Sequence, residues 1–171
     1  SDNKSFVVKY YEKKNKNFNA IESETKNLLY INQLNFEVFP KIVAFSKHYL
    51  VMSYLDNNKI QPKETNIDLL EAIVSLHSFN KNKYGFDFDT QIGGLRQINN
   101  KRDNWVDFYR EYRLGYIYEI INSSIIMDST INQKIEYILK NLENCIPKKP
   151  WASLLHVDMG DGNILFSPTQ F

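Results

Sequence analysis

The chain has 171 residues, 43% of them hydrophobic and 14% aromatic, so it can bury a core and is expected to fold as one domain or two small lobes. Lys and Arg number 21 against 20 Asp and Glu, a net charge of +1 without a clustered basic field, which argues against a nucleic-acid surface. The single Cys145 cannot form an internal disulfide, no apolar run approaches the roughly 20 residues of a membrane span, and no secretory signal pattern opens the chain, so no membrane association and a reducing, cytoplasmic location are expected.

Residues 5–11 are β-branched and aromatic and predict a strand that contains Lys9. Between residues 20 and 34, Ile21, Leu28, Ile31 and Leu34 recur near helical spacing, with Glu22 and Glu24 in the first turns. Pro40 separates this helix from two apolar runs, 42–45 and 49–54, split by Ser46-Lys47-His48; the pattern is that of a hairpin with His48 solvated in its turn. The polar stretch 56–64 that follows marks an expected lobe boundary.

Beyond it the pattern becomes helical. Residues 66–79 predict a helix with Ile67, Leu70, Ile73, Val74 and His77 on one side, His77 being read as a core residue. Residues 80–104 are irregular and contain Gly85, Gly93 and Gly94, a length of loop that is usually either functional or a set of elements wrongly assigned. Two further helices are predicted from Trp105 to about Ile121 and from Ile131 to about Leu142, with Trp105, Phe108, Tyr109 and Tyr112 spaced for packing. Residues 152–155 read as a short strand and residues 164–166 as another.

Between those two strands lies His156-Val157-Asp158-Met159-Gly160-Asp161-Gly162-Asn163. Phosphoryl transfer to a hydroxyl needs a group that accepts or orients the hydroxyl proton and a cation that neutralises the developing phosphate charge. Asp158 supplies a carboxylate for the first task and Asn163 an amide oxygen for holding Mg²⁺ in the second, with His156 orienting the loop. The same residue types also suit an ordinary turn. A second constellation separates the two readings. Lys9 in a strand, followed about fifteen residues later by a glutamate early in a helix, Glu24 in preference to Glu22, is the ion pair by which kinases align ATP phosphates. Each residue alone could be merely solvated; the ordered set of strand, helix, hairpin, linker, helices and loop carries the reading. Ile92-Gly93-Gly94 and Gln97-Ile98-Asn99 offer close backbone approach and directional amide hydrogen bonds to a ligand.

Leu76-His77, Tyr84-Gly85-Phe86, Ile92-Gly93, Gln97-Ile98-Asn99, Trp105-Val106-Asp107-Phe108-Tyr109 and Arg113-Leu114 together resemble the signature of the fructosamine kinase (ketosamine 3-kinase) family, which is similar in fold to aminoglycoside phosphotransferases. The resemblance runs from Phe6 to Phe166 and is most specific over residues 76–114. It implies an α+β, protein-kinase-like two-lobed fold: an incomplete, β-rich N-lobe with one helix over residues 1–55, and a mainly helical C-lobe over residues 56–171 that carries the catalytic loop. It implies ATP-dependent phosphorylation of a sugar-derived hydroxyl on a glycated amine, with ATP and Mg²⁺ as cofactors. Asp158 would be the base beside His156, Asn163 would hold the metal, Lys9 and Glu24 would bind phosphates, and the backbone of Ser53, Tyr54 and Leu55 would face the adenine. Gly93, Gln97, Asn99 and Asp161 would be substrate contacts.

The chain departs from the family pattern at Val157, where the resemblance implies Gly, at Gly160-Asp161 in place of Trp-Ser, and at Ser53 in place of Glu. Gly-rich strands before Lys9 and a second metal-binding Asp after the loop are also implied and do not occur in these residues, so the chain is expected to be a fragment or a remnant. Three readings follow: a small-molecule kinase completed by further residues, a pseudokinase that at most binds nucleotide, and an aminoglycoside- or choline-type kinase of the same fold.

Overall fold

The computed structural model describes residues 4–11, 19–57, 67–160 and 162–166. They gather into two compact units, one drawn from residues 1–79 with 153–171 and the other from residues 80–152. Both contain helices and small antiparallel pairings, so the chain is α+β.

The first unit is built on a three-stranded antiparallel sheet in the order β1-β3-β2, from β1 (Phe6–Tyr10), β2 (Ile42–Phe45) and β3 (Tyr49–Ser53). The expected hairpin is β2 with β3. Its turn is closed by the Ser46 hydroxyl, which accepts the N–H groups of His48 and Tyr49 at 3.0 and 3.3 Å. In the β1–β3 register Val7 lies opposite Met52 and Lys9 opposite Leu50. The pleat therefore sends Val7, Lys9, Leu50 and Met52 to one face. Helix α1 (Ala20–Gln33) covers that face, and Ile21 and Leu28 join Leu50 and Met52 in the core.

Two asparagines fix α1 at its ends. Asn19 is the N-cap: its side-chain oxygen accepts the Glu22 N–H at 3.2 Å while its amide donates to the Lys47 carbonyl in the hairpin turn at 2.6 Å. Near the other end Asn32 donates to the Pro40 carbonyl and accepts the Ile42 N–H, both at 3.0 Å, which seats the start of β2.

Helix α2 (Ile67–Ser78) corrects one expectation. Leu69, Ala72, Ile73, Leu76 and His77 form its sheltered side, whereas Ile67, Leu70 and Val74 are exposed. Apolar residues occur at helical spacing on both sides of this helix, so periodicity could not choose between them. Residues 164–166 likewise carry no strand, having no pairing among the described residues, while β7 is only Ala152–Ser153.

In the second unit the segment after β4 (Asn80–Lys81) is ordered by backbone pairing. Tyr84 and Arg102 exchange two N–H to carbonyl bonds at 2.9 Å, and the Phe86 N–H donates to the Asn99 carbonyl at 2.9 Å. Strands β5 (Thr90–Ile92) and β6 (Leu95–Gln97) form a two-residue hairpin through Gly93 and Gly94, whose φ values of 54° and 83° are those of a type I′ turn. The irregular reading of residues 80–104 missed this hairpin because its strands are only three residues long. Tyr84, Phe108 and Tyr112 form the core, with Ile98, Trp105 and Ala152 packed against it. The aromatic spacing was thus a packing signal.

The long helix expected from Trp105 is interrupted. Helix α3 (Trp105–Tyr109) runs into a π-helical turn (Arg110–Leu114) before α4 (Gly115–Ser124), and the Gly115 N–H closes the turn on the Arg110 carbonyl five residues back. The turn advances the register by one residue, so Tyr112 faces the core while the Arg113 guanidinium stacks 4.6 Å from the Phe108 ring centroid. Helix α5 (Ser129–Lys140) follows, capped by Asp128, whose carboxylate accepts the N–H groups of Thr130 and Ile131. Among the described residues no helix is long and apolar enough to cross a membrane.

A β-carbon on Gly115 would lie 2.2 Å from the Arg110 carbonyl oxygen, a backbone atom that cannot swing aside. Gly115→Ala should therefore lower the unfolding free energy by about 2 kcal/mol in urea titrations; an unchanged midpoint would show that the π-helical turn does not depend on this residue.

Candidate functional site

Lys9 and Glu24 meet because the sheet and helix that carry them share a core. Lys9 sits between Val7 and Tyr11 on the covered face of β1, and Glu24 lies between Ile21 and Leu28 along α1. The Lys9 Nζ donates to Glu24 Oε1 at 2.6 Å, with side chains 47% and 33% exposed. Glu22, the alternative partner, pairs instead with Lys26 at 2.9 Å, and that bond holds its carboxyl below the usual range. The ion pair expected from spacing is therefore formed, and by the expected glutamate.

Ser53 ends β3 opposite Phe6. Its N–H donates to the Lys41 carbonyl at 2.8 Å, its hydroxyl accepts the Lys41 N–H at 2.9 Å, and the Tyr54 N–H donates to the Ser5 carbonyl at 3.3 Å. Both N–H groups are thus taken up by strand pairing, and Leu55 is the first residue past it.

The loop residues form a second cluster. The Asn163 amide nitrogen donates to the Asp158 carbonyl at 3.0 Å and to Asp158 Oδ2 at 2.9 Å, and the Asn163 N–H donates to the Gly160 carbonyl at 2.8 Å. His156 Nδ1 accepts the Asp158 N–H at 3.3 Å, which places the remaining proton of a neutral imidazole on Nε2. The ring stacks on Phe39, centroids 6.0 Å apart with 21° between planes. Phe39 meets Phe36 edge to face, and Phe36 packs at 5.0 Å against Phe79, whose carbonyl accepts the Leu154 N–H at 2.8 Å. Sequence reasoning missed Phe36 and Phe39. The available signal was two phenylalanines three residues apart just before Pro40.

Val157, between His156 and Asp158, has φ +70°. A β-branched side chain in the left-handed region crowds the backbone at a cost on the order of 1–3 kcal/mol. Gly160 and Gly162 flank Asp161, which lies outside the described residues.

The fit of this loop to a divalent cation can be tested on its donor atoms. Mg²⁺ takes one or two protein oxygens and completes its shell with water and phosphate. The Asn163 bond to Asp158 uses the amide nitrogen and leaves the oxygen, the atom a cation takes, with a carboxylate beside it. The residues fit such an ion with one or two protein ligands. Among the described residues no group of three or more His, Cys, Asp or Glu could hold a metal alone. No hydrogen bond or ion pair among the described residues joins the Lys9 pair to the Asp158 cluster.

Of the expected substrate contacts in the second unit, Gly93 is at the hairpin tip and the Gln97 side-chain oxygen accepts the Thr90 hydroxyl at 3.1 Å. Asn99 is buried. Its amide nitrogen donates to the Phe88 carbonyl and the Thr90 hydroxyl at 3.1 and 3.0 Å, its oxygen accepts Arg113 at 2.6 Å, and its N–H donates to Asp89. These contacts engage the whole Asn99 amide in holding the hairpin base. Burial lowers the affinity of the Arg113 guanidinium for its proton, and Asp89 works against that shift.

A family model described as fructosamine kinase matches residues 1–170. Among curated proteins, the chain is similar to one named a probable ketoamine kinase in Vibrio cholerae, 26% identical over 165 residues that cover 92% of this chain and 56% of the relative. It is 30% identical to a chloroplastic protein-ribulosamine 3-kinase of Arabidopsis thaliana over 124 residues, 69% of this chain and 36% of the relative. A crystal structure from Thermobifida fusca, provisionally named a fructosamine-3-kinase, superposes with a TM-score of 0.76 at 20% identity, covering 96% of this chain and 57% of that one. The fold is therefore the one that kinase-named structure has. The chain spans about half the length of the curated relatives it matches first.

Lys9→Met removes a half-exposed pair, for which solvent screening leaves little net stabilisation. Its unfolding midpoint in urea should correspond to a change of no more than about 1 kcal/mol; a much larger loss would mean that the pair holds the sheet and helix together.

Proposed function

The chain belongs to the fructosamine kinase family, and we propose from that premise that the polypeptide carrying it transfers the terminal phosphoryl group of ATP to a sugar hydroxyl on a glycated amine. The observation that carries the reading is the pair of preformed clusters, Lys9 with Glu24 and Asp158 with Asn163, which are of the kinds phosphoryl transfer uses, a cation held by a carboxylate and a carboxylate held by an amide.

In this reading Asp158 accepts the proton of the attacking hydroxyl through the carboxylate oxygen not engaged by Asn163. The hydroxyl oxygen forms the new bond to phosphorus as the bond to the ADP oxygen breaks. The Asn163 amide and His156 Nδ1 hold the Asp158 side chain and backbone, so the carboxylate is oriented before substrate arrives. Lys9, aligned by Glu24, places its ammonium against the phosphates. Mg²⁺, when held by the Asn163 oxygen beside Asp158, supplies positive charge against the phosphate oxygens. Because the Ser53 and Tyr54 N–H groups are committed to strand pairing, adenine contact falls to their carbonyls and to Leu55. Gly93, Gln97 and Asp161 remain proposed substrate contacts, with Asn99 supporting the hairpin that carries the first two.

The proposal includes a lobe boundary between residues 55 and 56, where the sheet and α1 end in the sequence; the compact units divide the chain elsewhere, after Phe79 and before Ser153. It includes a cytoplasmic location, supported by the exposed, unbridged Cys145 and the ATP requirement. A nucleotide-binding protein without transfer is the second reading, favoured by the strained Val157 in the loop.

In the full-length polypeptide, Asp158→Asn should reduce phosphorylation of a fructosyl-amine at least about 100-fold, measured by ADP release. Mg-ATP at a hundred times its Kd should still stabilise that variant by about 2.7 kcal/mol. Undiminished turnover would remove Asp158 from the mechanism. Binding without turnover in the unmodified protein, across a panel of glycated amines, aminoglycosides and choline, would leave only the second reading.

A further inference from the structure

We propose that Val157 is a positioning residue that makes the loop a two-state element: its left-handed backbone is required for the aligned arrangement of His156, Asp158 and Asn163, and its β-branched side chain resists that arrangement. The inference deepens the kinase reading of this loop, while its stability arm stands independently of that reading.

The conformation of Val157 is imposed from both sides. Before it, the Leu154 N–H is bonded to the Phe79 carbonyl and the His156 ring is stacked on Phe39. After it, Asn163 donates to both the backbone and the carboxylate of Asp158. For the Asp158 N–H to reach His156 Nδ1 at 3.3 Å, the chain reverses within one residue, and φ +70° at Val157 accomplishes this. Nothing at the side chain offsets the strain, because Val157 is 61% exposed and gains little by packing. The opposing hydrogen bonds are themselves exposed, so their net strength is modest and comparable with the strain.

A second arrangement follows from this near balance. If Val157 relaxes to negative φ, the Asp158 N–H leaves His156 and the carboxylate loses its fixed direction. A ligand that needs Asp158 and Asn163 aligned must then bind the aligned fraction only, and its apparent affinity falls by that fraction. Glycine populates positive φ as readily as negative and would remove the conflict. Asparagine tolerates the left-handed region and would remove part of it, whereas isoleucine would retain it.

The test compares Val157→Gly with Val8→Gly. Val8 is also 61% exposed but lies in β1 and is not among the residues of positive φ. Chain entropy disfavours both substitutions, and only relief of strain can reverse the sign. We expect a higher melting temperature for Val157→Gly, a smaller rise for Val157→Asn, none for Val157→Ile, and a fall for Val8→Gly. Amide exchange followed by NMR should show Asp158 protection rising about tenfold in Val157→Gly beyond any change at Val51 in the sheet. Mg-ATP should bind correspondingly tighter. A fall in melting temperature for Val157→Gly like that of Val8→Gly would overturn the proposal. So would a rise without selective protection of Asp158, since strain relief would then be unconnected with its placement. Failure of every form to bind Mg-ATP would instead refute the kinase reading and leave the stability and exchange results to decide the role of Val157.

Discussion

The burial of Leu50 and Met52 beneath α1 is the constraint from which the geometry around Lys9 follows. Leu50 is fully buried and lies opposite Lys9 in the β1–β3 register. Because side chains alternate along a strand, putting Leu50 and Met52 inside obliges Val7, Lys9 and Tyr11 to face α1 as well. A one-residue slip of β1 would turn Lys9 to the opposite face, away from Glu24. The register is therefore set by apolar burial, and the charged pair inherits its placement. Asn19 and Asn32 complete this by tying the helix to the hairpin turn and to the start of β2, so that α1 can neither slide nor rotate freely over the sheet.

The loop at Asp158 is held in a different way. The described loop residues from Val157 to Asn163 are exposed, and their order comes from an aromatic chain running through Phe79, Phe36, Phe39 and His156, followed by amide hydrogen bonds from Asn163. Aromatic contacts of this kind are each worth about 1 kcal/mol beyond their area. That suffices to orient an imidazole, but it leaves the loop with few contacts to spare. Strain at Val157 consequently matters here more than the same strain would within the sheet.

Much of the fold was legible because its strongest signals are local. The strand around Lys9, the helix from Ala20, the hairpin about Ser46 and the aromatic ladder from Trp105 each announce themselves by periodicity or turn chemistry over a few residues. Glu24 rather than Glu22 reaches Lys9 because it lies along the helix between Ile21 and Leu28, the residues packed on the sheet. What could not be read depends on partners distant in sequence or on backbone detail. Helix α2 carries apolar residues all round, and only the folded chain shows that Leu69, Ile73 and Leu76, rather than Ile67, Leu70 and Val74, are sheltered. The π-helical turn at Arg110 leaves no mark except Gly115. The hairpin at Gly93 is too short for alternation to register. At the site, spacing pointed to Asp158 and Asn163, but the stacking of His156 on Phe39 joins residues more than a hundred positions apart, and Asn99 looked available only because Arg113 and Thr90 were not known to be its partners.

The energetics of the Lys9 pair argue that its purpose is not stability. At 2.6 Å the contact is short, yet both side chains keep a third to a half of their exposure, and pairs so placed contribute between zero and about 1 kcal/mol. Lys9 also occupies a position on the covered face of β1 where an apolar residue would have extended the core of Val7, Leu50 and Met52. An aliphatic side chain there, only partly buried, would stabilise by about 1 kcal/mol. A charged residue held at the edge of a core, at some cost in stability, and oriented by a carboxylate that hardly repays it, is understandable if the ammonium group has a third partner. A polyanion such as the phosphate chain of a nucleotide meets that requirement, because it gains from a fixed cation and makes no demand on the fold that carries it.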